Sequence, residues 1–139
     1  QTSTVGIQQQ QSELTKSVDK YKTIFEQAKE LVLILNDEGR ILEANPATRD
    51  LLGVDEQELL GRQIRDFLPD ELNFDPVWQG FLQTGNIPEE IPIITADGEK
   101  RIHEHSGRVD IIPGEHLIIG RDITEQKQRE ETLRDGSGI

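Results

Sequence analysis

Three tight turns constrain this chain more than any other feature of its sequence, because each makes the segments on either side run antiparallel. The turns lie at residues 37–39 (Asp-Glu-Gly), 96–99 (Ala-Asp-Gly-Glu) and 113–114 (Pro-Gly), and each contains a glycine. Glycine supplies the positive φ that short hairpin connections favour. The segments that these turns join are therefore predicted to be strands of one antiparallel sheet.

Five segments have the apolar or alternating pattern of strands. They are residues 31–36, 40–44, 87–95, 100–112 and 115–123. Pro88 and Pro92 predict an edge position for the third of them, because proline cannot donate a hydrogen bond to a neighbouring strand.

Helix signals fill the interval between the second and third strands. Asn45 followed by Pro46 predicts a helix start, since asparagine is a favoured N-cap and proline fits the first turn. Asp55, with Glu58 three residues later, predicts a second capped helix. A longer helix is predicted from about residue 75 onwards. One apolar face of this longer helix has to pack on the sheet, which predicts an α+β fold with the helices on one face.

A helical arm is predicted on the N-terminal side of this domain. Seven positions alternate spacings of four and three residues, the period of a coiled-coil seam: Ile7, Gln11, Leu14, Val18, Tyr21, Phe25 and Ala28. We expect this seam to join two copies of the chain. The expected dimer contacts are Leu14, Val18, Tyr21 and Phe25. The alternative is an amphipathic helix packed on its own domain, and the two can share the segment if its end near Phe25 faces the domain.

A second helical arm is predicted after the last strand. Residues 125–134 are rich in helix formers, but their only large apolar residue is Leu133, so this helix alone is marginal in water. We therefore expect it to continue into another segment or to pair with a copy of itself. The expected division is residues 1–20 for dimerisation, 21–124 for the globular domain and 125–139 for the C-terminal helix and tail.

Composition argues against several functions. The 139 residues carry a formal net charge of −12, and an acidic surface repels phosphates, which disfavours nucleic acids and anionic membranes as partners. The chain has no cysteine, so disulfides, thiolate ligands and cysteine nucleophiles are excluded. The longest apolar run, residues 31–35, is too short for a membrane span. A cytoplasmic location is the resulting expectation.

The order of these segments, together with several short motifs, resembles the PAS (Per-Arnt-Sim) sensory domain over roughly residues 20–125. The matching pieces are residues 34–47, 51–53 (Leu-Leu-Gly), 58–61 (Glu-Leu-Leu-Gly), 97–98 (Asp-Gly), 106–108 (Ser-Gly-Arg) and 121–125 (Arg-Asp-Ile-Thr-Glu). Each piece is weak alone, but their order and spacing are specific together. The resemblance implies a five-stranded antiparallel sheet whose helical face can enclose a small-molecule cavity, and homodimers formed partly through the N-terminal helix.

The resemblance also implies a signalling function. In that family an Asp-Ile-Thr motif, here Asp122, Ile123 and Thr124, leads from the last strand into a helix that drives an output domain. We expect a module of a bacterial two-component type that dimerises and transmits a signal to a kinase or cyclase effector on the same polypeptide. Asp122 is expected to accept hydrogen bonds at the strand end, and Thr124 to cap the helix.

Two other functions remain open from the sequence: a receptor switched by a bound ligand, and a structural dimerisation unit without ligand or signal input. Catalysis has no support, because the chain lacks a nucleophile elbow, a phosphate loop and a zinc-helix motif. We therefore expect a non-enzymatic module.

A cavity, if the fold encloses one, is expected to be lined by Asn45, Leu52, Phe67, Trp78, Phe81 and Ser106. For Trp78 a plain core position is the alternative, and for Asn45 a helix cap. Residues 61–69 hold no cysteine, which excludes the cysteinyl-flavin adduct of light-oxygen-voltage members. The helix at residues 76–84 holds no histidine, which disfavours haem. The ligand itself is not identified by the sequence.

The three histidines are the candidate metal ligands of the chain. His103 and His105 share one face of a strand, and the turn at residues 113–114 predicts that His116 lies near Ile111. That position is too distant to complete a site with the other two histidines, so no metal site is expected.

Overall fold

The structure, a computed structural model, describes residues 4–136. Its helices are α1 (Thr4–Gln27), α2 (Pro46–Leu52), α3 (Glu56–Leu59), α4 (Phe74–Thr84) and α5 (Thr124–Gly136), with a 3₁₀ helix at Ile64–Phe67. Its strands are β1 (Leu31–Leu35), β2 (Ile41–Ala44), β3 (Glu90–Ile94), β4 (Lys100–Ile112) and β5 (Glu115–Asp122). The predicted α+β fold is therefore confirmed, with strand ends that differ from the prediction by up to three residues.

The strands form one antiparallel sheet in the order β2-β1-β5-β4-β3. β3 is an edge strand, as its Pro92 predicts. The last strand along the chain, β5, lies in the centre of the sheet between β1 and β4. The register of β4 against β5 pairs His103 with Asp122 and His105 with Gly120. The exit from β5 into α5 is therefore anchored to the middle of the sheet.

The helical layer packs on the inner face of the sheet. Phe81 of α4 is fully buried against Gly107 of β4, where a Cβ atom would stand only 2.7 Å from the Phe81 ring. Gly107 thus allows α4 to approach the sheet more closely than a larger residue would. Gly85 ends α4 in the left-handed conformation, with φ of 76°.

Of the two predicted helix caps, the structure contains the one at Asn45 and not the one at Asp55. The Oδ1 atom of Asn45 accepts a hydrogen bond from the backbone N–H of Thr48 at 3.0 Å, so this residue caps α2 as expected. Asp55 stands before α3, but its side chain makes no capping hydrogen bond, and that prediction is wrong. Burial of Leu59, which has no exposed surface, holds this short helix instead.

The first helix, α1, exposes most of its apolar seam. Leu14 is 65% exposed and Val18 is 49% exposed. Tyr21 stacks on Phe25, which is half-buried, with their ring centroids 5.7 Å apart. Burial, followed by the charges of Glu43 and Glu115, raises the pKa of Tyr21. Neither α1 nor another helix within residues 4–136 is long and apolar enough to cross a membrane.

Candidate functional site

A closed hydrogen-bond network joins the end of β5 to the start of α5. The Oδ1 atom of Asp122 accepts from the backbone N–H of Thr124 at 2.9 Å and from the Thr124 hydroxyl at 2.6 Å. Its Oδ2 atom accepts from Arg101 Nε on β4 at 2.8 Å. The Thr124 Oγ1 atom accepts in turn from the backbone N–H of Ile102 at 2.8 Å. The first residue of α5 is therefore tied to two strands of the sheet.

The role of Thr124 differs from the predicted one. An N-cap hydroxyl accepts a hydrogen bond from an amide of its own helix. The Thr124 hydroxyl instead accepts from Ile102 on β4 and donates to Asp122. Asp122 accepts hydrogen bonds at the strand end as expected, whereas the capping role expected of Thr124 is wrong.

The joint is largely buried and contains an ion pair. Ile123 and Thr124 are buried, and the side chains of Asp122 and Arg101 are about one quarter exposed. Burial raises the pKa of Asp122, but hydrogen bonds from Arg101 and Thr124 outweigh burial and leave that pKa below its ordinary value. The same hydrogen bond raises the pKa of Arg101. Both groups are charged at neutral pH. Arg101 has no sequence motif that marks it as part of this joint, although it lies on the same face of β4 as His103, two residues away.

A small apolar cavity lies between α4 and the sheet. Its volume is about 50 Å³, and its wall includes Trp78 and Phe81 from α4 and His105 and Ile118 from the sheet. Pockets for drug-sized ligands measure roughly 300–1,000 Å³, so this cavity holds only a few water-sized groups. His105 brings a titratable group into a wall that is otherwise apolar or aromatic.

The structure brings Trp78 and Phe81 together on the cavity wall. It places the other four predicted wall residues elsewhere: Asn45, Leu52, Phe67 and Ser106. The first three are buried in caps or core packing, and Ser106 is exposed on the opposite sheet face, so their predicted position is corrected. Trp78 also has a structural contact, because its Nε1 atom donates to the Asp37 carbonyl oxygen at 2.7 Å.

His116 belongs to a separate network at the other end of the sheet. Ile112 pairs with Glu115 and Arg108 with Leu117, so His116 lies opposite the irregular stretch 109–111, near Ile111 as predicted. Its buried ring accepts at Nδ1 from the backbone N–H of Asp110 at 3.0 Å, and its Nε2 lies 2.7 Å from Asp37 Oδ1. Because Nδ1 is an acceptor, Nε2 carries the proton and donates to Asp37.

This trio of Asp37, Asp110 and His116 has side-chain atoms within 4.8 Å of one another, which is the spacing of metal ligands. A metal-bound imidazole donates its second nitrogen to a neighbour. Here the Nδ1 atom of His116 accepts instead. This arrangement favours a hydrogen-bonded link between the β1–β2 and β4–β5 hairpins over a cation site.

His103 and His105 lie side by side on the inner face of β4. Their ring centroids are 5.7 Å apart, and the Nδ1 atom of each has no hydrogen-bond partner in the part of the chain that the structure describes. His103 is 1% exposed and stands opposite Asp122. Burial lowers the pKa of both rings, that of His105 to about 4. Both rings are therefore neutral at pH 7.

Comparisons with known proteins agree with this architecture. The family model described as PAS fold matches residues 25–128. Sporulation kinase E of Bacillus subtilis (strain 168) is 28% identical over 124 residues, which cover 88% of this chain and 17% of the kinase. Sensor histidine kinase TmoS of Ectopseudomonas mendocina is 29% identical over 136 residues, which cover 91% of this chain and 14% of that protein. The chain thus spans less than a fifth of either relative.

A solved structure is similar over most of the chain. The PAS domain of an HTR-like protein from Haloarcula marismortui superposes with a TM-score of 0.66 at 28% identity, covering 84% of this chain and 99% of that one. The chain resembles sensory modules rather than catalytic ones. It belongs to the PAS family, as a sensory domain homologous to those of histidine kinases.

Proposed function

We propose that this domain dimerises through α1 and transmits a signal through α5 to an effector of kinase or cyclase type on the same polypeptide. The observation that carries this proposal is the network of Asp122, Thr124 and Arg101 at the exit from the central strand. Because α5 begins within hydrogen-bond reach of two strands, a change in the tilt of β5 moves the start of the helix. The two kinase relatives support an effector on the same polypeptide.

The attachment of α5 suits a transmitting helix. Its base is fixed to the sheet by the joint, and Lys127 makes a half-exposed ion pair with Glu90 of β3 at 2.8 Å. The described side chains from Gln128 to Arg134 are exposed. A helix held at its base presents its length to a partner helix, and a small rotation at the base becomes a larger displacement at its end.

The size of the cavity bears on the input to this module. A ligand of more than a few heavy atoms would have to move α4 away from the sheet, because the space between them is about 50 Å³. The structure therefore gives less support to a receptor for a large ligand than to a module whose input acts on side chains already in place.

Thr124→Val tests the joint, because valine keeps the shape of threonine and removes both hydroxyl hydrogen bonds. We expect the output activity of the full-length protein to change by about fivefold or more, within the usual range of coupling energies. The free energy of unfolding of the domain should fall by about 1–3 kcal/mol, with the fold retained. Activity assays and urea denaturation measure the two effects.

Thr84→Val is the matched control, since the hydroxyl of this exposed threonine also makes two hydrogen bonds but lies at the end of α4, outside the joint and α5. It should leave output unchanged and alter the free energy of unfolding by less than about 0.5 kcal/mol. Equal behaviour of the two variants, or a loss of output that only parallels a loss of folding, would favour the purely structural dimerisation unit.

The double variant Leu14→Asp with Val18→Asp tests dimerisation. Charges in a helical seam have to be buried when two chains pair, which is costly. We expect the mass measured by light scattering to fall from that of a dimer to that of a monomer. Gln9→Asp with Ser12→Asp adds the same charge to the opposite face of α1 and should leave the dimer intact. A dimer that survives the seam substitutions would exclude this interface.

A further inference from the structure

We propose that His103 and His105 form a proton-operated switch on the joint: a proton taken up by the pair redirects the hydrogen bonds of Asp122 at the start of α5. This inference rests on the proposed transmission through α5 and names its input. The stimulus is then acidification, and no ligand larger than a proton has to enter the domain.

The position of the pair connects the interior of the domain with the joint. His105 stands on the wall of the cavity, and His103 is its neighbour on the same face of β4. Opposite His105, a Cβ atom on Gly120 would stand 3.1 Å from the imidazole Cδ2 atom, so the ring occupies the space that this glycine leaves. Opposite His103 stands Asp122, and directly paired residues of antiparallel strands have Cβ atoms roughly 4.5–5.5 Å apart.

Each ring of the pair has a nitrogen atom, Nδ1, that can take up a proton. Neither Nδ1 atom has a partner among the described residues, so a new N–H on either ring lacks an acceptor in the present arrangement. The carboxylate of Asp122 favours a charged His103, whereas burial and Arg101 disfavour it. Two rings this close do not both charge readily, and the pair therefore takes up one proton, on the ring that faces the carboxylate.

A charged His103 competes with the existing partners of Asp122. The carboxylate already accepts from Arg101 at one oxygen and from Thr124 at the other. Because Thr124 donates twice, the carboxylate already accepts three hydrogen bonds. A fourth donor lengthens or replaces one of them, and the bonds from Thr124 are those that fix the base of α5.

Further charged groups lie around His103. The ring shares a shallow depression with charged residues from α1, the segment before β1, α2 and β5: Glu26, Lys29, Glu30, Asp50 and Arg121. Of all the charges near the ring, those of Asp122 and Arg101 act on its pKa, the first raising it and the second lowering it.

An NMR titration of the isotope-labelled chain between about pH 8 and 5 tests the switch, since this range spans the ordinary histidine pKa. We expect the His103 ring to titrate with a midpoint below the ordinary value of 6.5, and the amide of Thr124 to shift with the same midpoint. In the His103→Gln variant, whose side chain is neutral and does not titrate, the chemical shift of the Thr124 amide should no longer change with that midpoint.

A Thr124 amide that does not respond over this range, or that keeps its midpoint in His103→Gln, would overturn the switch. If the glutamine variant fails to fold, the wild-type titration alone decides, because different midpoints for the ring and the amide also overturn it. The NMR signals are measured on the domain itself. The proposed transmission is tested by the output activity of the full-length protein that carries Thr124→Val. Failure of one is therefore distinguishable from failure of the other.

Discussion

Replacing Asn45 with alanine is expected to lower the free energy of unfolding by about 3 kcal/mol or more, a large part of the stability of a small domain. The side chain is fully buried, and its Oδ1 atom accepts from the backbone N–H groups of Val32 at 3.1 Å and Thr48 at 3.0 Å. Its Nδ2 atom donates to the Glu30 carbonyl oxygen at 2.9 Å. Alanine would remove these three hydrogen bonds at once, each worth about 1 kcal/mol, although the N–H groups of Val32 and Thr48 keep second acceptors in the Thr48 hydroxyl and the backbone carbonyl of residue 45.

Asn73→Ala is the matched control for this prediction. Asn73 is also an asparagine directly before a helix, but it is exposed and makes no capping hydrogen bond. Its replacement should change the free energy of unfolding by less than about 0.5 kcal/mol. Urea denaturation, followed by the fluorescence of Trp78, the single tryptophan of the chain, measures both variants. Similar losses in the two would show that the buried hydrogen bonds of Asn45 carry little net stability.

The contrast between these asparagines shows what local sequence signals can predict. A turn or a cap involves residues within four positions of one another, so the three glycine turns and the start of α2 were visible in the sequence. The bonds from Asn45 to Val32 and Glu30 span 13 and 15 residues. The partner of a buried polar group at that distance depends on how strands pair. The sequence therefore predicted the cap at Asn45 but not the distant bonds that bury its side chain.

The cavity wall was harder to predict than the fold, because it depends on which alternate residues of β4 face the core. β4 has polar residues at both alternating sets of positions, so its sequence does not indicate which set faces the core. The structure turns His103, His105 and Gly107 inward and leaves Ser106 exposed outside. A shift of one residue along a strand exchanges its faces. The prediction that Ser106 lines the cavity was therefore displaced by one position from His105.

The stability of the domain is expected to fall as the pH is lowered from about 6.5 towards 4, the interval between the ordinary and the folded-state pKa of His105. Burial lowers the pKa of this ring in the folded chain, so within that interval the unfolded chain binds a proton that the folded chain does not. Lowering the pH then favours unfolding. Above this interval the ring is neutral in both states and contributes no pH dependence. This pKa difference corresponds to a loss of roughly 3 kcal/mol in the free energy of unfolding at about pH 4. The lowered pKa of His103 acts in the same direction.

Replacing His105 with glutamine separates this effect from the titration of carboxylates. Glutamine does not titrate, so the stability of the variant should depend less on pH than that of the wild type between about pH 6.5 and 4.5. Asp122 does not produce the difference, because its lowered pKa stabilises the folded state above the ordinary aspartate value and is lost only below about 3.8. Urea denaturation at several pH values measures both curves. Parallel curves would mean that the ring is hydrated in the folded chain. The histidine pair would then lack the burial that makes proton uptake cost folding energy and that makes the proposed switch respond to acid.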